Sequence, residues 1–239
     1  MKNKYWVRIE CSSDGLIGWM DPKQLHFIDE RTYEECRHQE HYSLELMYGI
    51  FSSQKTIPIS IGSKLLHFDG INVKMPFGKF QFSGQAFSLE NGAVNEKLLI
   101  KISNKYLHAP ELPGGRSILG IDPSGFTQVV YNFLGIRLAR TAAEQAKEGE
   151  DVGFVEQAKI GDLAFFNTRI NPDICHVGLV IGPMSIIHVH GRVKIDKLDQ
   201  QGIFDMETRR YTYKLRTLRR VVSIEESLDD LQPASLPNV

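Results

Sequence analysis

Three histidines sit in two neighbouring apolar runs of this 239-residue chain. His176 opens His176-Val177-Gly178-Leu179-Val180-Ile181-Gly182, and His188 and His190 close Ser185-Ile186-Ile187-His188-Val189-His190. Both runs read as strands, and the turn signal at Gly182-Pro183 folds them into a hairpin. Residues two apart on a strand share a face, so His188 and His190 point the same way. Antiparallel pairing about the turn brings His176 near them. Imidazoles gathered on one face suit proton transfer near neutral pH or a catalytic zinc ion. A second stretch with chemical meaning is Gly114-Gly115-Arg116-Ser117-Ile118-Leu119-Gly120-Ile121-Asp122-Pro123-Ser124-Gly125-Phe126, a glycine-rich loop running into a helix. Asp122 is an N-cap, and Pro123 takes the first helical position, where a missing N–H costs nothing. Phe126, Val129, Val130 and Phe133 then share one helical face. A cysteine at such a helix start would have a lowered pKa and be a ready nucleophile. Position 123 holds proline instead.

The segment "GGRSILGIDPSGFTQVVY" resembles the active-site segment of NlpC-type cysteine peptidases, hydrolases of bacterial cell-wall peptides. Their pattern is Gly-Gly, a short loop, then Asp-Cys-Ser-Gly-Phe opening a helix. Asp122, Ser124, Gly125 and Phe126 match it, and Pro123 stands at the nucleophile position. "LARTAAEQAKEG", with Arg140 and Gln145 matching and Ala139 in place of a usual proline, extends the resemblance. "GDLAFF", "HVGLVIG" and "IIHVHGRVKID" carry it to about residue 222. The resemblance implies that His176 is the imidazole that holds and delivers the proton, and that His188 orients it. It implies that Asp122 holds the ammonium of an N-terminal L-alanine in a γ-D-glutamyl-diamino acid peptide, with Ser124, Arg140 and His190 also on the substrate side. An aromatic pair that lines the family's active site is replaced by Glu111 and Pro113. Proline removes both the thiol and an amide hydrogen that would help bind an oxyanion. A preserved fold with lost or crippled turnover is the expectation. Ser124, about 100° further round the helix, should not point where a thiolate would. Cys175 should face away from its strand neighbour His176.

The elements that position these groups follow from the same patterning. Asn95 caps a helix whose Leu98, Leu99, Ile102 and Tyr106 share a face, and Leu163-Ala164-Phe165-Phe166 is a buried strand. Residues 94–224 are therefore expected to form the NlpC-type domain: α+β, papain-like, with helices packed on an antiparallel sheet. "DGLIGWMDPKQL" resembles the later strands of a bacterial SH3-like barrel, so residues 1–30 read as a partial module with a thin core. Residues 31–43 read as a linker or short helix, and residues 44–93 as a second SH3-like module. Residues 225–239 read as a disordered tail.

Net charge is −1, so no strong attraction to nucleic acid follows. No run of 18 apolar residues exists to span a membrane. Met1 to Trp6 lacks the apolar run of a signal peptide, which predicts a cytoplasmic chain, or a periplasmic or extracellular one if the N-terminus is shortened. Three cysteines, Cys11, Cys36 and Cys175, argue against a disulfide framework. The expected partners are murein-derived peptides with a free N-terminal L-alanine, with no cofactor and no metal. Two rival readings remain. One is a non-catalytic protein that binds cell wall or a partner through its β modules. The other is a metal-assisted hydrolase using His176, His188 and His190.

Overall fold

The structure, a computed structural model, describes residues 5–38, 41–88 and 95–221. The tail expected from residue 225 lies outside them. The N-terminal part holds β1 (Val7–Glu10) and β2 (Ile17–Met20), a two-stranded antiparallel hairpin, then a short helix α1 (Glu30–Arg37). A β unit follows: β3 (His41–Ser43), β4 (Met47–Phe51), β5 (Thr56–Ser60), β6 (Asn72–Met75), β7 (Gly78–Gln81) and β8 (Ala86–Ser88). Its sheet order is β5-β4-β7-β6, with β3 paired to β8. Ile50, Leu65, Val73, Phe80 and Phe82 form its own small core. His41–Ser43, read as linker, is a strand paired with β8, with Ser43 buried and Tyr42 buried against Phe133 in the larger unit's apolar cluster.

The remaining elements build the larger unit. These are α2 (Glu96–Lys105), the short strands β9 (Arg116–Ser117) and β10 (Gly120–Ile121), α3 (Pro123–Asn132), α4 (Ala142–Gln145) and β11 (Glu150–Asp151). Then come β12 (Leu163–Asn167), β13 (His176–Gly182), β14 (Ser185–His190), β15 (Arg192–Asp199), β16 (Gly202–Asp205) and β17 (Arg210–Arg220). Asn95 caps α2 and Asp122 caps α3, as their side chains predict. The hairpin turn falls at Pro183-Met184, with Gly182 opposite Ser185.

The sheet runs β11-β17-β12-β13-β14-β15-β16, and β16 also pairs with β17. The expected helix-backed sheet thus closes into a six-stranded barrel of β12 to β17. Closure relies on β17, whose eleven residues reach both β12 and β16, with register shifts at Phe165/Phe166 and Ile203/Phe204. Strand alternation divides the barrel's side chains into two sets. Ala164, Phe166, Val180, Ile186, Leu198, Ile203 and Leu218, at least one from each strand, meet inside. Phe165, Val177, Leu179, Ile187, Val189 and Val193 face outward and join Leu99, Ile102, Phe126 and Val130 of α2 and α3. Burying each such side chain contributes roughly 1.5–3 kcal/mol. This layer fixes the start of α3 against β13 and β14.

Candidate active-site cleft

The same alternation determines where the polar side chains go. His176 shares parity with Val180, His188 and His190 with Ile186, and Lys194 and Asp196 with Leu198. They therefore continue the barrel's inner face as a polar layer. His176 Nε2 lies 3.0 Å from His188 Nδ1, and His188 Nε2 lies 3.0 Å from Asp196 Oδ2. His176 is 2% exposed and His188 fully buried. Burial, then the neighbouring His188 and His190, hold His176 well below the ordinary imidazole pKa. Burial also lowers His188, against the opposing pull of Asp196. Burial would raise the Asp196 carboxyl, but the hydrogen bonds from His188 and Met206 and the charge of Lys194 win, so it is lowered.

One set of tautomers agrees with these directions and contacts. An ionised Asp196 accepts, so the hydrogen of neutral His188 is on Nε2 and its Nδ1 is an acceptor. His176 must then donate from Nε2, which leaves Nδ1 with a lone pair and no partner among the described residues. His176 lines a cleft of about 540 Å³, and a ring nitrogen free to accept a proton is what a general base requires. Behind Asp196, Lys194 Nζ lies 3.3 Å from Asp196 Oδ2 and 2.6 Å from Asp205 Oδ2. Tyr213 of β17 stacks on His176 with centroids 3.9 Å apart, and its hydroxyl lies 3.1 Å from His190 Nδ1.

The opposite wall of the cleft is the start of α3, with Pro123 and Ser124. Pro123 occupies the first helical position, as expected. Asp122 accepts from Gly125 N at 2.6 Å, Gly114 N at 2.8 Å, Ser124 Oγ at 3.3 Å, and both terminal nitrogens of Arg140. Burial opposes ionisation, yet these bonds, Arg140's foremost, hold its carboxyl below the usual range. Ser124 Oγ also accepts from Arg140 Nη1 at 2.9 Å, so its hydroxyl is tied to this knot. Gln145 is fully buried, bonding Thr127, Ser124 O and Ala139 O, and secures α4 to α3.

The structure thus brings Asp122, Pro123, Ser124, Arg140 and His176 to one cleft, with His188 directly behind. His190 stays close but bonds Tyr213, and the His176–His188 bond occupies two more ring nitrogens. The three imidazoles therefore do not converge on one point, and no group of three metal-ligating side chains occurs among the described residues. Cys175 departs from expectation. It precedes β13, so strand alternation does not apply, and it is exposed on the same cleft as His176. Sequence reasoning missed Asp196, Lys194 and Tyr213. The alternation of Lys194 and Asp196 with apolar Val193 and Ile195, just after the Gly191 turn, was the available signal for the first two.

Residues 112–211 match the NlpC/P60 family. A probable endopeptidase of Haemophilus influenzae is 30% identical over 125 residues, 47% of this chain and 77% of that protein. A Bacillus cereus γ-D-glutamyl-L-lysine dipeptidyl-peptidase is 28% identical over 191 residues, 74% of this chain. The chain spans 57% of that relative's length. The crystal structure of an NlpC/P60 family protein from Bacillus cereus superposes with a TM-score of 0.76 at 24% identity, covering 92% of this chain and 77% of that one. With its helix start and imidazole pair inside the matched stretch, this chain belongs to the NlpC/P60 family.

Proposed function

We propose that this chain binds murein-derived peptides of the L-alanyl-γ-D-glutamyl-diamino acid type in the cleft between α3 and β13 and does not turn them over. One observation carries the reading: Pro123, which the sequence resemblance aligns with the family's nucleophile, opens α3 across the cleft from the hydrogen-bonded His176–His188–Asp196 chain. Cysteine hydrolysis needs a thiolate, a base and a group that orients the base. The last two are present and buried. The thiol is missing at the helix start, and position 123 also lacks an N–H to donate to an oxyanion. The peptide class is supported by the relative named as a γ-D-glutamyl-L-lysine dipeptidyl-peptidase. The N-terminal β units fit the SH3-like modules of that branch by sequence resemblance.

The test is a titration of L-Ala-γ-D-Glu-L-Lys into the chain, followed by NMR, with mass spectrometry of the same sample after a day. Saturable shifts on β13 and α3 with intact peptide are the expected result. Cleaved peptide, or no shifts at millimolar peptide, contradicts the reading.

A further inference from the structure

The cleft's charges do not cancel. Three of its lining residues carry formal charge: Glu111, Asp122 and Arg140. Asp122 and Arg140 form a two-pronged ion pair, and their side chains are 15% and 11% exposed. A carboxylate offers about four acceptor sites, and Asp122 already receives hydrogens from four groups, Arg140 twice. It has no acceptor left for an incoming cation. Glu111 is different. Its backbone N donates to Gly191 O at 2.9 Å, and Gly191 N donates back to Glu111 Oε2 at 2.7 Å. The clasp is pinned by backbone bridges from the adjoining Pro110 to Arg192 and from Glu111 itself to Ile121. Glu111 is an exposed residue whose Oε1 has no hydrogen-bond partner among the described residues, and no lysine or arginine among them pairs with it. Glu111 lines the same cleft as His176 and Tyr213, and Tyr213, stacked on His176, is pushed up to about 12 by burial and then by the charge of Glu111.

We infer that Glu111, in place of Asp122, is the group that receives a primary ammonium of the bound ligand. This rests on the peptide-binding reading above. The ammonium has two sources in such peptides, the N-terminal L-alanine and the side chain of the diamino acid. A charged hydrogen bond at a pre-set carboxylate is worth about tenfold or more in affinity, and added salt weakens it because Glu111 is exposed.

The experiment uses the full chain and Glu111→Gln, whose amide oxygen can still accept from Gly191 N and keep the clasp. L-Ala-γ-D-Glu-L-Lys and its two singly N-acetylated forms are titrated by calorimetry. The expected result is a loss of about tenfold or more for one acetylated form with the native chain, and no such discrimination with Glu111→Gln. The form that loses affinity identifies which amine Glu111 holds. Discrimination that survives in Glu111→Gln, or that is absent from the native chain, overturns the inference while leaving peptide binding intact. If no tripeptide binds, the functional reading fails, and the Gly191 amide resonance decides on Glu111 separately. A saturable shift of that resonance with L-alaninamide but not N-acetyl-L-alaninamide, lost in Glu111→Gln, upholds the role. No shift, or one insensitive to the substitution, overturns it.

Discussion

The residue that sets the chemistry of the relay is one that the histidine pattern does not announce. Asp196 fixes the tautomer of His188, and His188 fixes that of His176. An asparagine at 196 can present its amide to His188 Nε2 and so move that ring's hydrogen to Nδ1. His176 Nδ1 would then carry a hydrogen and could no longer accept one. In a chain given a thiol at the start of α3, Pro123→Cys, the further change Asp196→Asn should lower turnover on the order of 10²- to 10⁴-fold, with little change in peptide affinity. Steady-state kinetics of the two variants checks this, and equal rates would show that Asp196 does not act through the rings. His176 and His188 were legible because a period of two and a turn signal place them together. Asp196 and Tyr213 were not, because their strands' register depends on the Gly191 turn and on long-range closure by β17.

At the scale of elements, the glycine loop and the cap of α3 act as one piece. A Cβ on Gly115 would lie 2.3 Å from Gly120 O and 2.6 Å from Gly120 C, both backbone atoms. Gly115→Ala must therefore displace the β9–β10 turn that feeds Asp122, with an expected loss of about 3 kcal/mol, read as a shifted urea midpoint. The N-terminal hairpin is tied to this same piece. Asp14, whose side chain is fully buried, pairs with Arg116 and accepts from Gln128 Nε2 of α3 at 3.1 Å. Trp6, Ile17 and Trp19 of the hairpin region remain exposed, so little apolar burial supplements that link. Asp14→Ala should speed protease cleavage within residues 5–20 while leaving the barrel's midpoint nearly unchanged, as limited proteolysis with mass mapping would show. The α3 start was legible because Asp122-Pro123 is a local cap signal. Barrel closure was not, since it is decided by β17 pairing with β12 nearly fifty residues earlier. Cys175 was misplaced because the strand begins one residue later, at His176.

For the whole molecule, the buried relay makes stability depend on pH in a range where few other groups titrate. His176 and His188 bind protons less readily folded than unfolded, where the ordinary value is 6.5. Their contribution is complete above that value and is lost as pH falls below it, because only the unfolded chain takes up the protons. Each histidine can contribute a slope of up to about 1.4 kcal/mol per pH unit. Urea unfolding at pH 7.5 and 5.5 should show the chain less stable at the lower pH, with a smaller difference in His188→Gln. Identical stability at the two pH values would mean that the rings are not held neutral. Asp122, Asp196 and Asp205, all lowered, add a second decline once pH falls through the carboxylate range. If the cleft lacks only a nucleophile at position 123, a thiol placed there should bring cleavage. L-Ala-γ-D-Glu-diaminopimelate is incubated with the chain as it stands and with Pro123→Cys, and cleavage is followed by mass spectrometry. No cleavage by the first and cleavage after γ-D-glutamate by the second is the expected result. Cleavage by the unaltered chain would contradict it and direct attention to the Cys175 thiol in the same cleft. A folded Pro123→Cys with no cleavage would show that the relay and the helix start are not positioned for the reaction.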